Sequence, residues 1–170
     1  MNKSILITGV AGFVGFSVAQ KLLKLNWKVY GLDNLNNYYS VSLKKKRIAQ
    51  LKKISKKRFI FFKADLKNKN SLETIFKKNS FNIVLNLAAQ AGVRYSLTNP
   101  KSYIESNLVG FFNIIDLSKN YKVKHFIFAS TSSVYGNIKK YPLQENFETD
   151  SPIQLYAATK KSNEVIAYSY

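Results

Sequence analysis

Tyr156 and Lys160 stand four residues apart in Tyr156-Ala157-Ala158-Thr159-Lys160. On a helix that spacing puts both side chains on one face, one turn apart. A free phenol, with a pKa near 10, is a poor base at neutral pH. An ammonium beside it stabilises the phenolate and draws that value down. The plainer reading of the pair is a solvated helix face. Upstream, Ser130-Thr131-Ser132-Ser133 places four hydroxyls directly behind an apolar run at 126–129. Hydroxyls at the carboxyl end of a central strand lie where open α/β sheets bind their ligands. A phenol, an ammonium and hydroxyl donors together point to a site that oxidises an alcohol.

A second constellation sits near the start of the chain. Thr8-Gly9-Val10-Ala11-Gly12-Phe13-Val14-Gly15 follows an apolar run and precedes a helical pattern. Gly9 permits a tight turn, Gly12 lets the backbone approach a pyrophosphate, and Gly15 lets the helix pack closely. The free N–H groups and positive dipole end of such a helix suit phosphates. Asp33 follows Gly15 by 18 residues, at the end of the second strand-like run. A carboxylate there accepts hydrogen bonds from ribose hydroxyls and repels a 2′-phosphate, which favours NAD over NADP. Asp65 ends the third run and is placed to line the adenine end.

These residues need a scaffold. Apolar runs at 3–8, 28–32, 59–62, 82–87 and 126–129 predict strands. Apolar residues at 14, 18, 22 and 25 predict a helix over 13–25, and Leu43, Ile48, Leu51 and Ile54 lie on or near one face of a lysine-rich helix over 41–54. Ser71 reads as the cap of a short helix carrying Leu72, Ile75 and Phe76. Asn99-Pro100 opens a long helix to about residue 120, and Ser151-Pro152 opens the last one. The phenylalanines at 59, 61, 62, 111, 112, 126 and 128 read as core. Strands alternating with helices imply right-handed crossovers and an α/β, Rossmann-like, doubly wound parallel sheet, here one NAD-binding domain over residues 1–170.

Composition narrows the function classes. The 170 residues are 46% apolar, enough for a real core and against intrinsic disorder. Without cysteine there is no disulfide framework, thiolate zinc site or thiol nucleophile. The single histidine, His125, precedes the fifth strand-like run and reads as structural, so no metal site is expected. No apolar run has the length of a membrane span, and a cytoplasmic protein is expected. Residues 5–19 superficially imitate a leader peptide behind Lys3, but three glycines would break its helix and suit a strand-to-helix turn. The net charge of +18 invites a nucleic-acid reading. Only three of the 27 basic residues are arginine, however, the residue that specific phosphate and base readers favour. Nine of the fifteen residues at 44–58 are basic and fall on a predicted helix, which reads as a solvated face with weak, salt-sensitive attraction for polyanions.

In combination these motifs resemble the extended short-chain dehydrogenase/reductase superfamily, its NAD-dependent epimerase/dehydratase branch, and most of all the UDP-glucuronate 4-epimerases. The resemblance is carried by the glycine motif, Asp33-Asn34-Leu35-Asn36-Asn37-Tyr38-Tyr39, Leu87-Ala88-Ala89-Gln90-Ala91-Gly92-Val93-Arg94-Tyr95-Ser96, Ser106-Asn107-Leu108-Val109-Gly110, 130–136 and Tyr156 to Lys161. It implies cofactor contacts from Gly9, Gly12, Phe13, Val14 and Gly15, from Asp33, Asn34 and Asn36, from Asp65 and Leu66, from Leu87, Ala88, Ala89 and Gln90, and from Asn107, Tyr156 and Lys160. It implies that Tyr156 is the base at the sugar 4-hydroxyl and that Thr131 bonds the same oxygen. Lys160 would hold the nicotinamide ribose, and a transient 4-keto sugar would turn and be reduced on its other face.

Related 4,6-dehydratases carry Asp and Glu where this chain has Ser132 and Ser133. Dehydration is thereby disfavoured, and the two hydroxyls suit a C6 carboxylate; turn capping is the alternative for them. Arg94 is assigned to a phosphate or carboxylate of the UDP-sugar substrate, against a role in capping a loop. The family's chains are longer, their C-terminal half supplying most of the substrate pocket. The expectation is therefore an N-terminal portion that binds NAD weakly and turns over UDP-sugar poorly by itself. A homodimer through the helices at 100–120 and 152–170 is also implied. A dehydratase or reductase of the same superfamily and a non-catalytic NAD-binding module are the competing readings; a nucleic-acid binder has charge alone in its favour.

Overall fold

The structure is a computed structural model and describes residues 3–170. Five strands, β1 (Ser4–Thr8), β2 (Lys28–Asp33), β3 (Phe59–Lys63), β4 (Ile83–Asn86) and β5 (His125–Phe128), pair in parallel in the order β3-β2-β1-β4-β5. All five residues of β1 are buried, because this central strand is covered on both faces and an uninterrupted apolar run is what such a strand requires. Leu6 faces the cluster that includes Leu32, Leu72, Phe76, Val84 and Ile114. Ile5 and Ile7 face the other, with Ala19, Leu23, Val29, Ile48 and Leu51. The strand order reverses between β1 and β4, and ligands bind at such a point, beyond the carboxyl ends of the strands. The segment that imitates a leader is thus a strand, a glycine turn and the start of a helix.

The first layer consists of α1 (Phe13–Lys24) and α2 (Val41–Ile54). The apolar stripe expected at 14, 18, 22 and 25 packs only in its middle: Val18 and Leu22 are partly buried against the core. Gly15, Ala19 and Leu23 are buried, whereas Val14 and Leu25 are both more than half exposed. Close approach to the preceding glycine turn requires a residue without a side chain at position 15, which hydrophobicity alone does not identify. A comparable correction applies on α2: Leu43 is exposed and its neighbour Lys44 is buried beside Ile48 and Leu51. The remaining lysines of 44–58 are exposed, and among the described residues none of that segment's basic groups forms an ion pair.

On the other face lie α3 (Lys69–Lys78) and α6 (Gly110–Asn120), with the short α4 (Tyr95–Thr98) and α5 (Pro100–Tyr103) before α6. The cap of α3 is Asn68, whose Oδ1 accepts the Ser71 N–H at 3.0 Å, so Ser71 lies inside the helix rather than at its cap. Asn99 likewise does not cap with its side chain; its Nδ2 donates to the Tyr95 hydroxyl at 2.8 Å. The helix expected from residue 100 to 120 is interrupted by a wider π turn, Ile104–Val109. Phe59 and Phe111 are core, but Phe112 is exposed on the outer side of α6. The last helix, α7 (Leu155–Ser169), begins after Gln154 rather than at Ser151-Pro152, which belong to the irregular segment before it. A 3-10 turn, Ser132–Tyr135, follows β5. No helix among the described residues is long and apolar enough to cross a membrane.

Candidate active site

Steric facts define the glycine turn. Gly9 has φ +68°, a left-handed conformation, and a Cβ there would lie 2.9 Å from the Ala88 nitrogen. A Cβ on Gly15 would lie 2.3 Å from the Gly9 carbonyl oxygen. Gly15 thus brings α1 onto the glycine turn itself, a tighter constraint than packing on the sheet. The turn is tied to β4 by Thr8, whose hydroxyl donates to Asn86 Oδ1 at 2.5 Å and accepts the Ala88 N–H at 3.1 Å.

Around this turn a cavity of about 510 Å³ opens beyond the strand ends. Its wall draws together Gly9, Gly12, Phe13, Val14, Gly15, Asp33, Asn34, Asn36, Asp65, Leu66, Leu87, Ala88, Ala89 and Gln90, every expected cofactor residue except Asn107, Tyr156 and Lys160. Lys44 and Arg47, which no motif marked, also line it, as do Tyr38, Tyr39 and Ser106, motif residues assigned no site role from the sequence. Asp33 is buried and already occupied on both oxygens: Oδ2 accepts the Ala11 N–H at 3.1 Å and Oδ1 the Leu35 N–H at 2.9 Å. It fastens the glycine turn to the end of β2, and each oxygen keeps a lone pair for a further donor. Asp65 accepts from the Lys67 N–H and from Asn34 Nδ2, at 2.9 and 3.0 Å. The glycine turn, the cavity and the carboxylate at the β2 end fit a dinucleotide.

Tyr156, Lys160 and Thr131 lie outside that cavity wall. Lys160 is buried at 4% exposure, and its Nζ donates to the Ala129 carbonyl, just past β5, at 2.9 Å. Desolvation draws its pKa down to about 8. Tyr156 is half-buried, its ring edge-on to Tyr103 at 6.1 Å. Tyr103 is fully buried; its hydroxyl lies within donating distance of the carbonyls of Ala91 and Gly92, and burial pushes its phenol up. No hydrogen bond joins the Tyr156 hydroxyl to Lys160 or Thr131 among the described residues. Thr131 caps the 3-10 turn by accepting the Ser133 N–H at 3.2 Å. Ser132 is exposed and Ser133 half-buried. Ser130 is engaged with Glu164, one turn beyond Lys160, a partner absent from the sequence reasoning. Arg94 is exposed at the start of α4, apart from the cavity.

The two groups meet through Asn107, which the π turn presents inward at 1% exposure. Its Oδ1 accepts the Gln90 N–H at 2.7 Å, and its Nδ2 donates to the Gln90 carbonyl at 3.2 Å and to Thr159 Oγ1 at 3.1 Å. The cavity wall is therefore linked by buried hydrogen bonds to the residue before Lys160. Among the described residues no cluster of His, Asp and Glu could hold a metal ion.

Comparison with known proteins shows the family. The chain belongs to the family described as GDP-mannose 4,6 dehydratase, which matches residues 6–170. It is 50% identical over 166 residues to Protein CapI of Staphylococcus aureus, covering 98% of this chain and 49% of that protein. It is 46% identical over 165 residues to a UDP-glucuronate 4-epimerase of Thermodesulfobacterium geofontis, covering 97% of this chain and 50% of the relative. Among solved structures, a tyrosine-to-phenylalanine mutant of UDP-glucuronic acid 4-epimerase from Bacillus cereus is similar. It is in complex with UDP-4-deoxy-4-fluoro-glucuronic acid and NAD, with a TM-score of 0.86 and 32% identity over 98% of this chain and 52% of that one. UDP-glucose 4-epimerase from Bifidobacterium longum, in complex with NAD+ and UDP, gives a TM-score of 0.86 at 26% identity, covering 98% and 48%. The chain spans about half the length of the curated relatives it matches.

Proposed function

On the premise of that membership, we propose that this chain forms the cofactor-binding part of an NAD-dependent UDP-sugar 4-epimerase acting on UDP-glucuronate. The observation that carries the reading is the buried link from Gln90 through Asn107 to Thr159, which couples the glycine-turn cavity to the helix bearing Tyr156 and Lys160. In this reading Gly9, Gly12 and the first turn of α1 hold the pyrophosphate, and Asp33 takes the adenosine ribose. NAD, when bound, supplies the acceptor and later the donor of the C4 hydride. Tyr156 removes the proton of the sugar 4-hydroxyl and returns it after the ring has turned. Thr131 bonds that oxygen, and Lys160, fixed on Ala129, provides positive charge one turn from the phenol and bonds the nicotinamide ribose.

The choice of a uronate is supported by Ser132 and Ser133, which leave that turn with hydroxyls where elimination would need carboxylic acids. Arg94 is assigned to the substrate's anionic groups, and the rest of the relatives' length to the remaining substrate pocket. Self-association through the outer sides of α6 and α7 is supported by exposed Phe112, Val165 and Tyr168. The test is conversion: the protein, in the longest form its reading frame encodes, is incubated with UDP-glucuronate and assayed chromatographically for UDP-galacturonate. Tyr156→Phe should abolish conversion and leave bound NAD in place. NAD retention with no turnover of any UDP-sugar would favour the non-catalytic binding module instead.

A further inference from the structure

We propose that Lys44 is a positioning residue of the dinucleotide site, its ammonium holding Asn36 and Tyr39 in the wall that receives the adenosine half. The proposal rests on the reading of the cavity as a dinucleotide site and assigns a role that the sequence pattern conceals.

Lys44 belongs to a run of basic residues on α2, yet it alone of the Lys44-Lys45-Lys46 triplet is buried, at 4% exposure, and it lines the cavity. Burying an ammonium is costly unless its donors are met. Here Nζ donates to the Asn36 carbonyl at 2.9 Å and to Asn36 Oδ1 at 2.7 Å, and it lies 4.3 Å from the centre of the Tyr39 ring. Two oxygens and a π face thus serve its three N–H groups. The restraint passes onward. The Tyr39 hydroxyl donates to the Ala11 carbonyl at 3.1 Å, the Arg47 guanidinium donates to the same oxygen at 3.0 Å, and the Ala11 N–H is held by Asp33. Lys44 therefore braces one end of a circuit running through the β2–α2 loop, the glycine turn and the carboxylate proposed to take the ribose. Burial draws its pKa down, with Asp33 opposing, as expected of a cation enclosed by the site rather than one on the helix surface.

The experiment titrates NAD+ and ADP-ribose calorimetrically into the wild-type protein, Lys44→Met, Lys44→Arg and the exposed-neighbour control Lys45→Met. Met occupies similar volume without charge or donors, whereas Arg keeps both. Lys44→Met should weaken both ligands about tenfold. Lys44→Arg should recover most of that loss, and Lys45→Met should match wild type. If Lys44→Met fails to fold by circular dichroism, Lys44→Gln decides, since it keeps amide donors without the charge and should weaken ADP-ribose severalfold. Wild-type affinity in Lys44→Met, equal losses in the Met and Arg variants, or, in the non-folding case, wild-type affinity in Lys44→Gln would overturn the proposal. A wild-type protein binding neither ligand would overturn the dinucleotide reading itself, and this role with it.

Discussion

Lys160 gives the most direct quantitative test of the site's architecture. Its ammonium is buried and desolvation holds its pKa at about 8, against an ordinary value of 10.5. Well below the lower value both the folded and the unfolded chain carry the proton, and the folded state bears the whole burial cost. Between the two values the folded chain has released a proton that the unfolded chain still binds, so stability rises with pH. Taken from about pH 7 to about pH 9.5, that single group should add about 2 kcal/mol to the unfolding free energy. The measurement is urea unfolding followed by circular dichroism, for wild type and Lys160→Met, across this range. Relief of self-repulsion at a net charge of +18 affects both proteins and cancels in the difference. Tyr39 and Tyr103, whose phenols burial pushes up, are common to both proteins and cancel likewise. The difference between wild type and variant should therefore shift in favour of wild type as pH rises. Parallel curves would refute a buried ammonium at Ala129 and, with it, the placement of α7 against the end of β5.

Further outcomes follow from the same geometry. Gly15→Ala should lower thermal stability by roughly 1–3 kcal/mol, because the new Cβ meets the Gly9 carbonyl, a backbone atom with little freedom to yield; a melting temperature equal to wild type would count against the helix–turn contact. Asn107→Ala should cost about 2 kcal/mol in denaturant unfolding, since it leaves the buried amide N–H of Gln90 without its acceptor. Asp33→Asn should weaken NAD+ binding and narrow its advantage over NADP+ in calorimetry, because the charge that repels a 2′-phosphate is gone; an unchanged preference would place the ribose elsewhere.

Much of this arrangement is legible in local pattern. The alternation of apolar runs with helical periodicity implies a parallel sheet, and the glycine spacing before a helix marks its turn. The Tyr156–Lys160 spacing fixes a shared helix face. These readings succeed because each depends on backbone preference or on neighbours within a few residues. Helix starts were less legible: Asn68, not Ser71, caps α3, and the segment at Ser151-Pro152 stays irregular until Leu155. Several polar residues can serve as a cap, and only the packed helix decides which one does.

Periodicity also misplaced the ends of the stripe on α1, where Val14 and Leu25 are exposed while Val18 and Leu22 pack on the core. It weighs side chains by hydrophobicity, whereas the contact with the glycine turn demanded a residue without a side chain, Gly15. What the chain alone determines is the set of elements and the chemical groups they carry. Only the tertiary structure decides which buried polar atoms find each other: Lys44 with Asn36, Asn107 with Gln90 and Thr159, Lys160 with Ala129. Such partners are chosen by where strands and helices end in space. A buried donor must take whatever acceptor the fold brings within reach, and a run of lysines or a lone asparagine contains no record of that choice.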